Sequence, residues 1–362
     1  MIKIDIRPVW RFRANGEREF DFRVLNLLEA LEQTGKLTLA AAQAGVSYRH
    51  AWNLIEKWAG ILGAPLVAME RGRGTRLSPL GAKLLWAGKR VQARLTPELD
   101  SLASELAAAL NESLAQGAPA LRLHGSHDFA VAGLRELLAQ AGLRIDLQYR
   151  GSFDALGSLL RGECDLAGFH IVDGPFGARM AARYAEWLKP RAHRLILLAT
   201  RTQGLIVAAG NPKNIRTAAH LARKDVRFIN RQKGSGTRAL LEYFLSDAGV
   251  DRERILGYQN EEFTHAAVGA LIAGGQADAG FGVEAAASQF RLGFVPLATE
   301  RYYFACRQDA LDRPEMQTLL ATLRGAEFGA LIGSLAGYSA PRAGEVTTVA
   351  DTLGAAGQLE RA

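Results

Sequence analysis

The sequence predicts two architectures in series: an N-terminal winged helix-turn-helix, mainly α with a β-wing, and a C-terminal two-lobed α/β unit. Three observations carry this expectation. Two short helical patterns meet at a tight turn at Gly45-Val46, and a basic Gly-rich hairpin pattern follows them. From Leu121 onward, strand and helix patterns alternate. A length of 362 residues also exceeds one ordinary core.

Composition is that of a soluble globular chain, 48% apolar and 22% charged. The net charge of +7 is compatible with a polyanionic partner, and its placement says more than its total. Residues 71–94 hold Arg71, Arg73, Arg76, Lys83, Lys89, Arg90 and Arg94 without one Asp or Glu. Cys164 and Cys306 are too few and too far apart for a disulfide framework or a cysteine metal cluster; two buried thiols are expected. The start, MIKIDIRPVWRFR, has charges where a signal peptide needs an apolar core. The longest apolar stretch is broken by Arg201 and is too short to span a bilayer, so a cytoplasmic protein is expected.

The first third begins with IDIRPVWRFRANGEREFDF, a β-hairpin pattern turning at Asn15-Gly16. Residues 22–33 then place Phe22, Leu25, Leu28 and Leu31 at helical spacing. A short helix capped by Thr38 and containing small Ala41 and Ala42 leads to the turn, and Ser47 caps a second helix reaching Trp58. That second helix buries Ala51, Leu54, Ile55 and Trp58 and turns Tyr48, Arg49, His50, Asn53 and Lys57 outward, as a helix reading a major groove does. PLVAMERGRGTRLSPLGAKLL reads as strand, basic turn, strand and helix. It is a wing presenting Arg71, Arg73, Thr75 and Arg76 to phosphates or a minor groove. The DNA-contacting candidates are these residues together with Ser47.

Residues 80–114 are helical in pattern, with Leu95, Leu99, Leu102, Leu106, Leu110 and Leu114 on one stripe. Thr96-Pro97 starts a second helix or kinks a long one. The stripe is expected to pair subunits. The boundaries that follow are 1–79 for the winged helix with its hairpin, 80–118 for the connector and linker, 119–345 for the α/β unit and 346–362 for a C-terminal tail.

In open α/β sheets ligands gather where strands end and helices begin. Here those loops are small and polar: GSHD with Ser126 and His127, RGSF with Ser152, GFHI with His170, NRQKGSGT, and EFTH with Thr264 and His265. Ser and Thr are common helix caps, so the weight falls on several such loops together. NRQKGSGTR resembles a phosphate loop at first sight, yet Lys233 precedes the glycines, which fails the Walker order, and no third glycine completes a dinucleotide fingerprint. Ser235 is not in a nucleophile elbow either. An anion cradle survives: Gly234 and Gly236 admit close backbone approach, Ser235 and Thr237 offer hydroxyls, and a helix dipole points in.

The segments AAAQAGVSYRHAWNLIE and ERGRGTRLSPLGAKLL resemble the winged-helix domain of molybdate-responsive and LysR-type bacterial regulators. That resemblance implies a homodimer, or a dimer of dimers, on an inverted-repeat DNA operator; the opening hairpin departs from it. GSFDALGSLLRGECDLAGFHI, NPKNIRTAAHLARKDVRFINRQKGSGTRALLEYFL and THAAVGALIAGGQADAGFG look like a cytoplasmic version of a periplasmic molybdate-binding protein. That likeness implies a periplasmic-binding-protein-like unit holding molybdate or tungstate between its lobes, with no other cofactor and metal present only as the oxyanion. By motif, Ser126 and Ser152 would donate from the first lobe and Ser235 and Thr237 from the second, with His127, His170, Arg231, Gly234, Gly236 and Thr264 as further effector contacts. The reading is thus an oxyanion-sensing transcriptional regulator of molybdenum- or tungsten-enzyme genes, and not an enzyme. Arg231, Arg238 and the histidines leave room for an organic acid as effector instead. An enzyme using Cys164 with His170, or Asp128 with His127, lacks a third positioned residue. A plain anion store leaves the wing without purpose.

Overall fold

A computed structural model describes residues 2, 4–13, 17–70, 74–113, 120–174 and 176–358. The hairpin turn at Asn15-Gly16, Arg71 and Arg73 at the wing tip, Leu114, and the linker up to Pro119 lie outside the described residues. The chain divides into two compact units: Arg7–Gln92, and Ala93 onward joined by the first few residues. The division therefore falls within the helix following the wing rather than at residue 79. Ile2 joins the second unit because its backbone is held at both N–H and C=O by the Asn111 side chain.

The first unit runs β1 (Arg11–Arg13), β2 (Glu17–Glu19), α1 (Arg23–Thr34), α2 (Leu37–Gln43), α3 (Tyr48–Leu62), β3 (Val67–Glu70), β4 (Gly74–Leu77) and the opening of α4 (Pro79–Ser113). This is the element order expected from the sequence. Helix α1 buries Val24, Leu25, Leu27, Leu28 and Leu31 and ends at Gly35, whose φ of 66° suits glycine. Helix α2 starts at Leu37, which is buried, so Lys36 takes the cap position and Thr38 caps nothing. Ser47 does cap α3, its Oγ accepting the His50 N–H at 3.2 Å. The hairpin has a structural role: Phe20 meets Trp58 edge-on at 4.7 Å, Phe12 lies 5.7 Å from Trp58, and Trp10 stacks on Phe20. It roofs the fully buried Trp58 on the inner face of α3. Phe20→Ala is expected to cost about 3 kcal/mol or more, measured by urea denaturation; an unchanged midpoint would show the hairpin to be an ornament.

The second unit holds β5 (Ala120–Gly125), α5 (Phe129–Gln140), β6 (Arg144–Tyr149), α6 (Ser152–Leu160), β7 (Leu166–Val172), α7 (Gly177–Ala185), β8 (His193–Val207), β9 (Phe228–Arg231) and α8 (Gly236–Asp247). It continues with β10 (Glu261–Glu262), α9 (His265–Ala273), β11 (Ala279–Val283), α10 (Glu284–Gln289), β12 (Gly293–Arg307), α11 (Pro314–Arg324), α12 (Ala326–Gly333), β13 (Tyr338–Ser339), β14 (Val346–Thr348) and α13 (Val349–Gln358). The strand order is β10-β9-β11-β8-β12-β7-β5-β6. Parallel pairs β5–β6 and β5–β7 form one half, and β9–β10 and β9–β11 the other. Between them run β8 and β12, antiparallel and 15 residues each. The two strands expected from HRLILLA and GLIVAAG are thus one strand passing through both halves. Arg201 does not break it, because the charge is neutralised in place. Residues 346–358 are not a tail: β14 pairs with β8, and Val349 at the start of α13 is buried in the core beside α7.

The second part of α4 covers the edge strand β6. Ser104 Oγ accepts the Leu147 N–H and Ser101 Oγ the Tyr149 N–H, both at 3.0 Å, which occupies donors that a sheet edge otherwise exposes. Helix α4 is continuous through Pro97. Leu102, Leu106 and Leu110 are about half exposed, at 50%, 49% and 46%.

Candidate functional site: a buried cationic cleft

The C-terminal ends of the parallel strands in both halves converge on one polar cluster. From the first half come Ser126 after β5, Ser152 opening α6, and His170 on β7. From the second come Arg231 at the end of β9, the α8 N-terminus at 235–237, and His265 opening α9. The crossing strands add Arg201 and Gln203 from β8 and Glu300 and Tyr302 from β12.

Contacts knit these residues together. Ser126 Oγ and His170 Nε2 share a hydrogen bond at 3.0 Å, and His170 lies against the Tyr302 ring at 4.3 Å. The Arg201 guanidinium lies over the Tyr302 ring at 5.5 Å. Its Nε donates to Glu300 Oε1 at 2.6 Å, and its Nη1 pairs with Asp128. Gln203 Nε2 donates to Glu300 Oε1 at 2.8 Å and to Thr237 Oγ1 at 3.1 Å. The loops of the two halves touch: a Cβ placed on Gly151 would stand 3.1 Å from Gly234 O. A Cβ on Gly236 would stand 3.5 Å from Ser152 Oγ, 3.7 Å from Tyr184 OH and 4.0 Å from His170 Cδ2. Glycine at 236 therefore leaves open a space ringed by hydroxyls and two helix N-termini, those of α6 and α8.

Arg231 is the unusual member. Only 2% exposed, it donates through Nη2 to Phe263 O at 2.8 Å and through Nε to Gln232 Oε1 at 3.2 Å. Among the described residues Nη1 has no partner and no carboxylate pairs with the guanidinium. Burial, then repulsion from Arg201, pushes its pKa down to about 9. Glu300 opposes this from a distance, yet no carboxylate touches the guanidinium, and an anion delivered to a buried cation so placed lowers its cost. The histidines do not supply charge. Burial first, then Arg201, holds His170 well below 6.5; burial, then Arg231, does the same to His265; burial, opposed by Asp128 and helped by Arg231, takes His127 down to about 4. All three are neutral near pH 7. Between these folded values and 6.5 the unfolded chain binds the extra proton, so the stability is whole above about pH 6.5 and is lost as pH falls below it. The expected slope is about 1.4 kcal/mol per pH unit for each histidine involved. Urea unfolding at pH 8, 6 and 5 reads it directly, and a flat profile would contradict the neutral assignment.

Of the residues expected from sequence, Ser126, Ser152, His170, Arg231 and Gly236 meet in this cluster, and His127 joins it beside Tyr149. Gly234 has a φ of 82° and makes the turn that lets Ser235 cap α8. Thr237 is held by Gln203. Thr264 is not free for a ligand: fully buried, its Oγ1 accepts the Ala267 N–H at 2.9 Å and donates to Ala93 O at 2.8 Å. Thr75 is not a DNA contact. It is buried, and its N–H is taken by Gly35 O at 3.1 Å. Cys164 is buried and its thiol is pushed up to about 12 by that burial, so it is no thiolate near neutrality. Asp128 caps α5 and binds Arg201 and Tyr338, which leaves no carboxylate oxygen for an acid/base pair with His127.

A sequence model of the PBP superfamily domain matches residues 134–324, more than half of the chain. The chain belongs to the PBP superfamily. The uncharacterized protein YvgK of Bacillus subtilis (strain 168) is 31% identical over 247 residues, 67% of this chain and 79% of that protein. The molybdenum transport protein ModE of Herbaspirillum seropedicae is 37% identical over 78 residues, 20% of this chain and 29% of that protein. The solved structure of the Corynebacterium glutamicum OxyR C206 mutant is 17% identical, covers 87% of this chain and 95% of that chain, and has a TM-score of 0.41. In this PBP superfamily member the matched segment takes in β6 to β12, and so includes the Arg231 end of β9 and the α8 N-terminus. Among the described residues no helix is long and apolar enough to cross a membrane.

Proposed function

We propose that this chain is a one-component transcriptional regulator whose PBP-like unit binds a small tetrahedral oxyanion, molybdate or tungstate foremost. Its N-terminal unit would bind double-stranded DNA as a winged helix-turn-helix. The observation that carries the ligand class is Arg231, a buried guanidinium with Nη1 unpaired and no carboxylate in contact with it. Similarity to a protein named for molybdenum transport favours molybdate and tungstate within that class. For DNA, the support is the face of α3: Tyr48, Arg49, His50, Asn53 and Lys57 are exposed while Ala51, Leu54, Ile55 and Trp58 are buried behind them. Arg76 on β4 is exposed as well. Half-exposed Leu102, Leu106 and Leu110 on α4 fit pairing with a second copy, giving a homodimer on an inverted repeat. The genes controlled would serve molybdenum or tungsten enzymes or their cofactor supply, and no catalytic step is assigned.

The test is calorimetric titration with molybdate, tungstate, sulfate and formate at fixed ionic strength, followed by DNA binding with and without the tightest ligand. A Kd below about 1 μM for the first two, with sulfate silent, supports the reading. Preference for formate moves the ligand to the organic acids. Because the histidines are neutral, affinity is expected to change less than about twofold between pH 6 and 8. A loss of affinity rising through that range would mean that a histidinium reads the anion.

A further inference from the structure

We infer that the anion site is coupled to helix α4 through Thr264, which holds the Ala93 carbonyl that Pro97 leaves without its helical partner. The inference rests on the proposed anion site and adds its regulation. Proline has no N–H, so the carbonyl four residues earlier in a helix loses its donor. Here that carbonyl belongs to Ala93, and it receives the Thr264 hydroxyl at 2.8 Å instead. The same oxygen caps α9 by accepting the Ala267 N–H, so one buried hydroxyl fastens α9 to α4. Arg94 adds a second tie, its Nη1 lying 3.5 Å from the Glu262 carboxylate.

The peptide carrying Thr264 is itself strapped to the site. Arg231 donates to the carbonyl of Phe263, the residue before Thr264, and Gln232 N–H donates to Glu262 O at 3.2 Å. Strand β10 pairs Glu261 and Glu262 in parallel with Asn230 and Arg231. A displacement of the Arg231 guanidinium toward an anion therefore pulls on the segment holding Ala93.

Helix α4 is anchored to the other half as well. Ser101 and Ser104 accept from β6, and Ser101 also donates to Pro97 O at 2.9 Å. The second half of the α/β unit thus grips residues 93–94, the first half grips 101–104, and the proline lies between the grips. Any movement of one half relative to the other bends α4 at Pro97, a position whose missing hydrogen bond makes bending easy. A ligand that favours one arrangement of the halves then sets the bend of α4 by its differential affinity.

Hydrogen–deuterium exchange of the full chain tests this, with the tightest-binding of molybdate, tungstate, sulfate and formate as probe. In wild type the anion is expected to slow exchange of amides in 93–104 at least threefold. Thr264→Val is expected to abolish that protection while keeping the anion Kd within threefold, and Thr264→Ser to restore it. Pro97→Ala, which returns a helical donor to Ala93, is expected to weaken it. Equal protection in wild type and Thr264→Val overturns the coupling. A ligand-free arm stands apart from the choice of anion: Arg231→Ala frees the Phe263 carbonyl and is expected to speed exchange in 93–104 in wild type but not on the Thr264→Val background. If no anion binds wild type, the proposed function fails, and this arm still decides the coupling: unchanged exchange in Arg231→Ala overturns it.

Discussion

Arg231→Gln is expected to raise the anion Kd about 100-fold or more while leaving the unliganded protein at least as stable as wild type. The two halves of that expectation have one cause. A guanidinium buried with no carboxylate in contact contributes most of its energy when an anion arrives, and truncating one partner of a buried charge pair costs about 2–5 kcal/mol of binding. In the empty protein the same group is a burden: its pKa is held down to about 9 by burial and Arg201. From about pH 9 to the ordinary arginine value the unfolded chain binds the proton that the folded chain sheds, so the penalty is fully present below about pH 9 and is relieved only above it. Neutral glutamine removes the penalty at pH 7 and forfeits two hydrogen bonds, to Phe263 O and Gln232. Thermal unfolding with and without ligand separates the terms. The expected result is an unliganded midpoint at or above wild type and no ligand-induced shift. A destabilised unliganded variant would instead make Arg231 part of the scaffold.

Much of the architecture was legible because period and punctuation agree. Ser47 before a 3.6-residue pattern predicts α3 and its cap, and the βαβ alternation predicts both sheet halves. The site was legible mainly in residues at or near strand ends. Ser126, Ser152 and Gly236 stand at strand-to-helix junctions, where local sequence marks them, and Arg231 ends β9; His170 lies within β7. Arg201, Gln203, Glu300 and Tyr302 stand in mid-strand, and a sequence does not say which residue of a second strand lies opposite. The signal was present even so: an arginine inside LILLATRTQGLIV and a glutamate inside PLATERYYFA are charges in otherwise apolar strands. Such charges are buried only when paired. Read as an interruption, Arg201 hid the continuity of β8, one of the two long strands that join the halves. Thr264 and Thr75 misled for a related reason. The Thr264 hydroxyl at a helix start is as readily spent on the protein's own backbone, here Ala93 O, as on a ligand, and Thr75 on the hairpin turns out to be buried with its N–H bonded to Gly35 O.

Arg201→Met is expected to prevent stable folding, the opposite of the Arg231 result. Arg201 and Glu300 face each other across β8 and β12, and both are fully buried. The Arg201 guanidinium also neutralises Asp128, which caps α5 and accepts the Tyr338 hydroxyl at 2.7 Å. Removing the arginine strands two buried carboxylates, and breaking one such pair already costs about 3–5 kcal/mol. Total stabilities are about 5–15 kcal/mol, so this loss consumes most of the margin. Adding Glu300→Gln and Asp128→Asn removes the stranded charge while keeping shape and cap, and is expected to recover several kcal/mol in a denaturation cycle. The cycle also separates two roles for the two arginines of the cleft. An Arg201 that served as anion ligand would behave as Arg231 does, folding well in its absence and losing only affinity. Coupling energies between positions 201, 300 and 128 that vanish, in a variant that folds but no longer binds, would move Arg201 from the crossing of the strands into the ligand site.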